Sequence, residues 1–215
     1  MMTQDFLIVD KAAIIDPTAT IMAFSVIGKT YRRLLTNEDY HISKSTIIGS
    51  NVYIGYSCII GKGSYLMDNC ILDDHTTIEC EVEIGQKSLL IYSSHICNEV
   101  KIGKGCVIGG LIGENTIIGD DCKIFGNIVH AQNNPGNGWD LDSSMEGPAR
   151  IFDKVFIGFN SIIIGNVSIG PKAYVCAGCI ISKSVPEGFI AEPGVNKIIH
   201  HSKSISKLKN SNIFK

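Results

Sequence analysis

Isoleucine, leucine or valine recurs at every sixth residue along most of this chain. In residues 47–64, IIGSNVYIGYSCIIGKGS, an Ile-Gly pair falls at 48, 54 and 60. An α-helix repeats near 3.6 residues and a half-buried strand at 2. Six is a multiple of two, so the pattern predicts short extended segments that turn at fixed intervals. The large aliphatic slot, i, is filled by Val9, Ile15 and Ile21. It then runs unbroken from Ile42 to Ile102, resumes at Ile112, Ile118 and Ile124, and ends with Ile151 to Ile181, making 23 hexads. Position i+4 is an independent test. It holds Ala, Ser, Thr, Cys or Val in every hexad except the one carrying the larger Ile128. One inward slot is large and the other small, so like side chains stack on like in successive layers. The frequent Gly at i+1 is expected at corners that need a positive φ.

A period of six with two inward positions is the signature of an all-β, hexapeptide-repeat parallel β-helix. It explains the cysteines without chemistry. Cys58, Cys70, Cys106, Cys122 and Cys179 fall in the small inward slot, as small buried hydrophobes. Cys176-Ala-Gly-Cys179 therefore reads as a corner residue beside an inward one, and not as a redox or zinc pair. Cys80 and Cys97 fit no functional pattern.

The regular repeats are structural, so function is sought where they break. Residues 28–41, GKTYRRLLTNEDYH, form a first extruded loop, whose Arg32-Arg33 pair can hold a phosphate. Between Ile108 and Ile112 the count slips by two residues. Residues 130–150, HAQNNPGNGWDLDSSMEGPAR, form a second loop with the one tryptophan of the chain, Trp139, and the carboxylates Asp140, Asp142 and Glu146. A long excursion without the repeat is more often functional than idle. His130 stands at its root. By strict count it occupies an i slot, but the chain leaves the helix there, so the ring can stand at the prism wall as a general base. After Val185 the repeats stop. The expected division is a β-helix domain over 1–185 and a capping tail over 186–215.

Residues 153–188, DKVFIGFNSIIIGNVSIGPKAYVCAGCIISKSVPEG, resemble the last coils of the hexapeptide-repeat acyltransferases. Those proteins are left-handed β-helices in which three hexads make a triangular coil, which implies seven to eight coils here. The resemblance further implies a homotrimer that moves an acetyl group from acetyl-CoA to a hydroxyl or amine, with a loop-root histidine, here His130, as base. The acceptor implied is a small polar molecule, a sugar or nucleotide-linked sugar, held by Trp139, Asp140, Asp142, Glu146, Arg32 and Arg33. Asn160, Gly165, Lys172, Ala177, Gly178 and Lys183 are the implied CoA contacts. Two rival readings are a non-catalytic scaffold and a carbonic anhydrase-like metalloenzyme. The latter needs closely spaced histidines, which His75, His95 and His130 do not offer, so no metal is expected.

Composition narrows the partners. Nineteen basic and 21 acidic residues leave no basic stripe for nucleic acid. No apolar run approaches a membrane span, and the first residues lack a secretory pattern. Eight cysteines without a disulfide framework fit a cytoplasmic location.

Overall fold

The computed structural model describes residues 6–31, 41–130, 147–194 and 197–200. Short strands, most of two residues, form three sheets of nine, eight and ten strands, parallel except for the last strand of the third, and the chain visits the sheets in turn. The described residues contain no α-helix. They form a triangular β-helix, as the period of six requires. Its core is three columns of aliphatic side chains. In the first sheet Ile27, Ile60, Ile78, Ile96, Ile112, Ile128, Ile163 and Ile181 are at most 4 % exposed. Each strand alternates inward and outward residues. This is why Ile14, Ile117 and Ile180, one position before an inward residue, are exposed.

The first sheet has nine rungs, more than the seven to eight coils expected. Hexad counting missed rungs beside shortened or interrupted hexads. Ile128 pairs with Ile112 and Ile163, so it is a large inward residue four positions after Ile124, and not an oversized i+4. Val185 likewise bridges Ile169, four positions after Ile181, and Ala191 pairs with Val175. Ile27 takes the rung beside Ile60, whereas Ile42 packs at a corner against Gly63. The strand Phe189–Glu192 continues the third sheet in parallel, and Lys197–His200 closes its edge antiparallel.

Glycine at i+1 has a different cause from the one expected. Positive φ occurs at i+3, on Asn51, Ser57, Asn69, His75 and their equivalents. The i+1 glycines are needed because the next coil runs too close. A Cβ on Gly61 would stand 2.4 Å from the carbonyl carbon of Glu79, and one on Gly85 would stand 2.5 Å from that of Gly103.

The small slot is polar as well as apolar, and its hydroxyls are paired between coils. Ser64 Oγ donates to Glu79 O at 2.8 Å and accepts from Val82 N at 3.2 Å. Burial pushes the thiols of Cys58 and Cys70 up to about 11 from an ordinary 9.0, although backbone hydrogen bonds partly oppose it. Such thiols carry almost no thiolate at neutral pH. In the native state Cys58 and Cys70 should therefore resist alkylation and react only on unfolding, which thiol labelling with and without urea measures. These groups hold their protons more tightly folded than unfolded. Their share of stability is full below about pH 9 and is lost as pH rises towards about 11.

Candidate functional site

Both excursions from the β-helix arise at one corner, the one between the first and second sheets. The first leaves after Tyr31, whose hydroxyl donates to Ile78 O at 3.4 Å, and returns with Ile42 against the corner glycine Gly63. The second leaves after the strand Asn127–Val129 and returns at Gly147, whose carbonyl accepts from Asn166 N at 2.7 Å. Between the two roots the corner is polar. Position i+2 is occupied in successive coils by Cys80, Asn98, Glu114 and His130, since Ile78, Ile96, Ile112 and Ile128 are neighbouring rungs.

Hydrogen bonds tie this column together. His95 Nε2 lies 2.9 Å from Glu79 Oε1, and Glu79 Oε2 accepts from Asn98 N at 3.2 Å. Asn98 donates through Nδ2 to Glu114 Oε1 at 3.0 Å and accepts from Cys80 N at 3.0 Å. Burial and then the Glu79 charge push the Tyr31 phenol far above its ordinary value. The same two causes, with Glu114 after them, push the Cys97 thiol up to about 12. Cys80 is raised to about 11, chiefly by burial.

His130 ends the column. It is two positions past an inward residue, so it does not occupy the i slot that strict counting assigns. The shortened hexad from Ile124 to Ile128 shifts the register and turns the ring to the wall. The ring lies over Gly113, where a Cβ would stand 3.3 Å from Nε2. That nitrogen is buried and has no hydrogen-bond partner among the described residues. A buried polar atom left unpaired costs roughly 1–3 kcal/mol. Such an orphan asks for an explanation, and a ligand hydroxyl or amine is one.

The other expected site residues divide. Arg32, Arg33, Trp139, Asp140, Asp142 and Glu146 lie outside the described residues. Of the expected CoA contacts, Gly165 and Lys183 are at i+2 after Ile163 and Ile181, on the His130 corner. Gly165 N donates to Val129 O at 2.7 Å. Asn160, Ala177 and Gly178 share the corner between the third and first sheets, where Gly178 N donates to Phe159 O at 2.9 Å. Lys172 is on the remaining corner, with its N–H on Asp153 O at 2.9 Å.

Sequence reading set His95 and Cys97 aside and missed Glu79, Asn98 and Glu114. Their signal was available, because cutting the sequence at the rungs writes 78–80, 96–98, 112–114 and 128–130 one above another. Elsewhere, a hollow on the second sheet is lined by Lys44, Glu83, Lys101 and neighbours. Its exposed Lys101–Glu83 pair at 3.5 Å is the ordinary dressing of a solvated sheet face.

The family model described as "Hexapeptide repeat of succinyl-transferase" matches residues 45–73 and 148–183, both within the coils. Over those residues the chain is similar to the hexapeptide-repeat proteins. Among the relatives it matches, the bifunctional protein GlmU of Synechococcus elongatus is 28 % identical over 176 residues, covering 75 % of this chain and 37 % of that protein. GlmU of Listeria innocua is 35 % identical over 116 residues, covering 50 % of this chain and 24 % of that one. The chain thus spans roughly a third of the length of such relatives or less. The solved UDP-N-acetylglucosamine acyltransferase of Francisella novicida covers 97 % of this chain, and the match spans 74 % of that protein. Its TM-score is 0.52 and its identity 17 %, a likeness of fold.

Proposed function

We propose that the protein is an acyltransferase that moves an acetyl group from acetyl-CoA to a hydroxyl or amine of a small polar acceptor, a sugar or nucleotide-linked sugar. The observation that carries this reading is the unpaired, buried Nε2 of His130 at the root of the 131–146 excursion. An acceptor O–H or N–H donated to that nitrogen would satisfy it. His130 then takes the proton as the acceptor atom attacks the thioester carbonyl carbon. The C–S bond breaks, and the proton passes from the imidazole to the departing thiolate. Backbone N–H groups of the corner would stabilise the oxyanion.

Gly165 and Lys183 continue the His130 corner towards the C-terminal coils, a path for pantetheine with Lys183 near its phosphates. Asn160, Ala177 and Gly178 sit across the first sheet, where a neighbouring copy can bring them to the same groove. Lys172, on the third corner, is the weakest of the set. Trp139, Asp140, Asp142, Glu146, Arg32 and Arg33 would hold the acceptor from the two loops.

A homotrimer belongs to the same reading. It is supported by the apolar outer face of the third sheet, where Phe156 stacks on Tyr174 at 4.7 Å, and by its edge towards the first sheet, where Phe125 stacks on Phe159 at 4.6 Å. Aromatic area of this kind favours burial between subunits. A cytoplasmic location is supported by eight free cysteines, and no helix among the described residues is long and apolar enough to cross a membrane.

The test is thiol release from acetyl-CoA across a panel of amino sugars, sugar alcohols and nucleotide-linked sugars. The expected result is acceptor-dependent release of free CoA by the wild-type chain. CoA binding with no turnover on any acceptor would point to another acyl group. Absence of CoA binding would overturn the reading.

A further inference from the structure

Three residues on two adjacent rungs of the first sheet converge beside the polar corner. Glu79 follows the inward Ile78, and His95 and Cys97 flank the inward Ile96, so all three side chains are on the outer face. One ligand-type atom from each, a carboxylate oxygen, an imidazole nitrogen and a thiol sulfur, lies within 4.8 Å of the other two. All three residues are partly buried, the Glu79 side chain 19 % and His95 44 % exposed. We propose that Glu79, His95 and Cys97 bind one zinc-class divalent transition ion, leaving a coordination position open towards solvent.

The donor set decides the class of ion. Oxygen, nitrogen and sulfur together suit zinc or cobalt, whereas magnesium and calcium take oxygen alone. Three protein ligands with a free fourth position is the open arrangement of zinc sites that bind water or substrate. Ligand-to-zinc distances of about 2.0–2.3 Å set tetrahedral ligand atoms about 3.3–3.7 Å apart, so His95 Nε2 and Glu79 Oε1, at 2.9 Å, would part slightly while Cys97 Sγ, within 4.8 Å of both, draws in. The partly exposed His95 and Glu79 side chains have room for that shift.

Two further observations point the same way. The inward thiols of Cys58, Cys70, Cys106, Cys122 and Cys179 donate to backbone carbonyls at 3.2, 3.2, 3.1, 3.0 and 3.4 Å respectively. Cys97 Sγ makes no such bond among the described residues and lies beside Glu79 and His95 instead. The second is the support behind the carboxylate. Asn98 N holds Glu79 Oε2 at 3.2 Å, an outer hydrogen bond of the kind that orients ligands at metal sites. Without metal, His95 Nε2 and Glu79 Oε1 share a hydrogen bond at 2.9 Å. The ion takes the place of that hydrogen bond: the imidazole proton moves to Nδ1, and the thiol proton is released to solvent.

The experiment uses the full chain, dialysed against chelator and titrated with cobalt(II) alone and zinc(II) alone. Cobalt should give a thiolate-to-metal charge-transfer band that saturates at one ion per chain and is displaced by zinc. Cys97→Ser should abolish the band. His95→Gln and Glu79→Gln should each weaken zinc binding by at least about 10–100-fold. His95 is half-exposed, so His95→Gln keeps the test decisive even where the cysteine variant fails to fold. The proposal is overturned by the absence of a charge-transfer band in the wild type or by a full band in Cys97→Ser. Zinc affinity unchanged in a folded His95→Gln chain would also overturn it, because the ion would then be held elsewhere. None of these readouts depends on acyl transfer.

Discussion

His130→Ala should lower acyl transfer by about 100- to 10,000-fold, the usual cost of removing a general base. CoA affinity should stay within a few-fold of wild type, because the expected pantetheine path lies in later coils. The fold should tolerate the change. His130 is at the wall and not in the inward column, and Ile112, Ile128 and Ile163 remain stacked beneath it. Removing the unpaired Nε2 even relieves a buried orphan. The variant should therefore melt at or slightly above the wild-type temperature while losing turnover. A histidine with a purely structural role gives the opposite pattern, with lower stability and normal turnover per folded molecule. Thiol release and thermal unfolding on one preparation distinguish them, and near-normal turnover would end the case for His130.

Ile96→Ala should destabilise the protein by about 2–5 kcal/mol. Ile96 is fully buried and pairs on one side with Ile78 and on the other with Ile112. Its removal leaves a void in the middle of a column of identical residues. The neighbours are held by backbone hydrogen bonds between coils, so they cannot collapse into the gap. Ile14→Ala, at an outward position 58 % exposed, should change stability by only about 0.5 kcal/mol. Urea unfolding of the two variants checks the contrast. Equal effects would mean that the inward and outward faces had been exchanged, because a one-residue slip inverts every side chain.

How much of this was legible in sequence depends on whether a feature repeats. The aliphatic column from Ile48 to Ile102 could be read directly, because every hexad supplies the same test. Rungs beside shortened or interrupted hexads were lost. Ile128 and Val185 looked like members of the small slot, and Ile27 was hidden by the loop that follows it. The i+1 glycines were seen but misexplained. Sequence shows that a residue lacks a Cβ, and only the neighbouring coil shows whether backbone torsion or close approach requires it.

The chain by itself determined the β-helix, its inward faces and the two places where the backbone departs from it. Each of these follows from local alternation of apolar and polar residues, which a strand of two residues expresses directly. The tertiary structure alone decided that both departures arise at one corner, and that Glu79, His95, Cys97, Asn98, Glu114 and His130 line it between them. The physical reason is the coil. It places side by side residues that are sixteen to eighteen positions apart, as in the pairs Ile78–Ile96, Ile96–Ile112 and Ile112–Ile128. Two shortened hexads change that step, so the neighbours of His130 depend on turns that the hexad pattern does not mark.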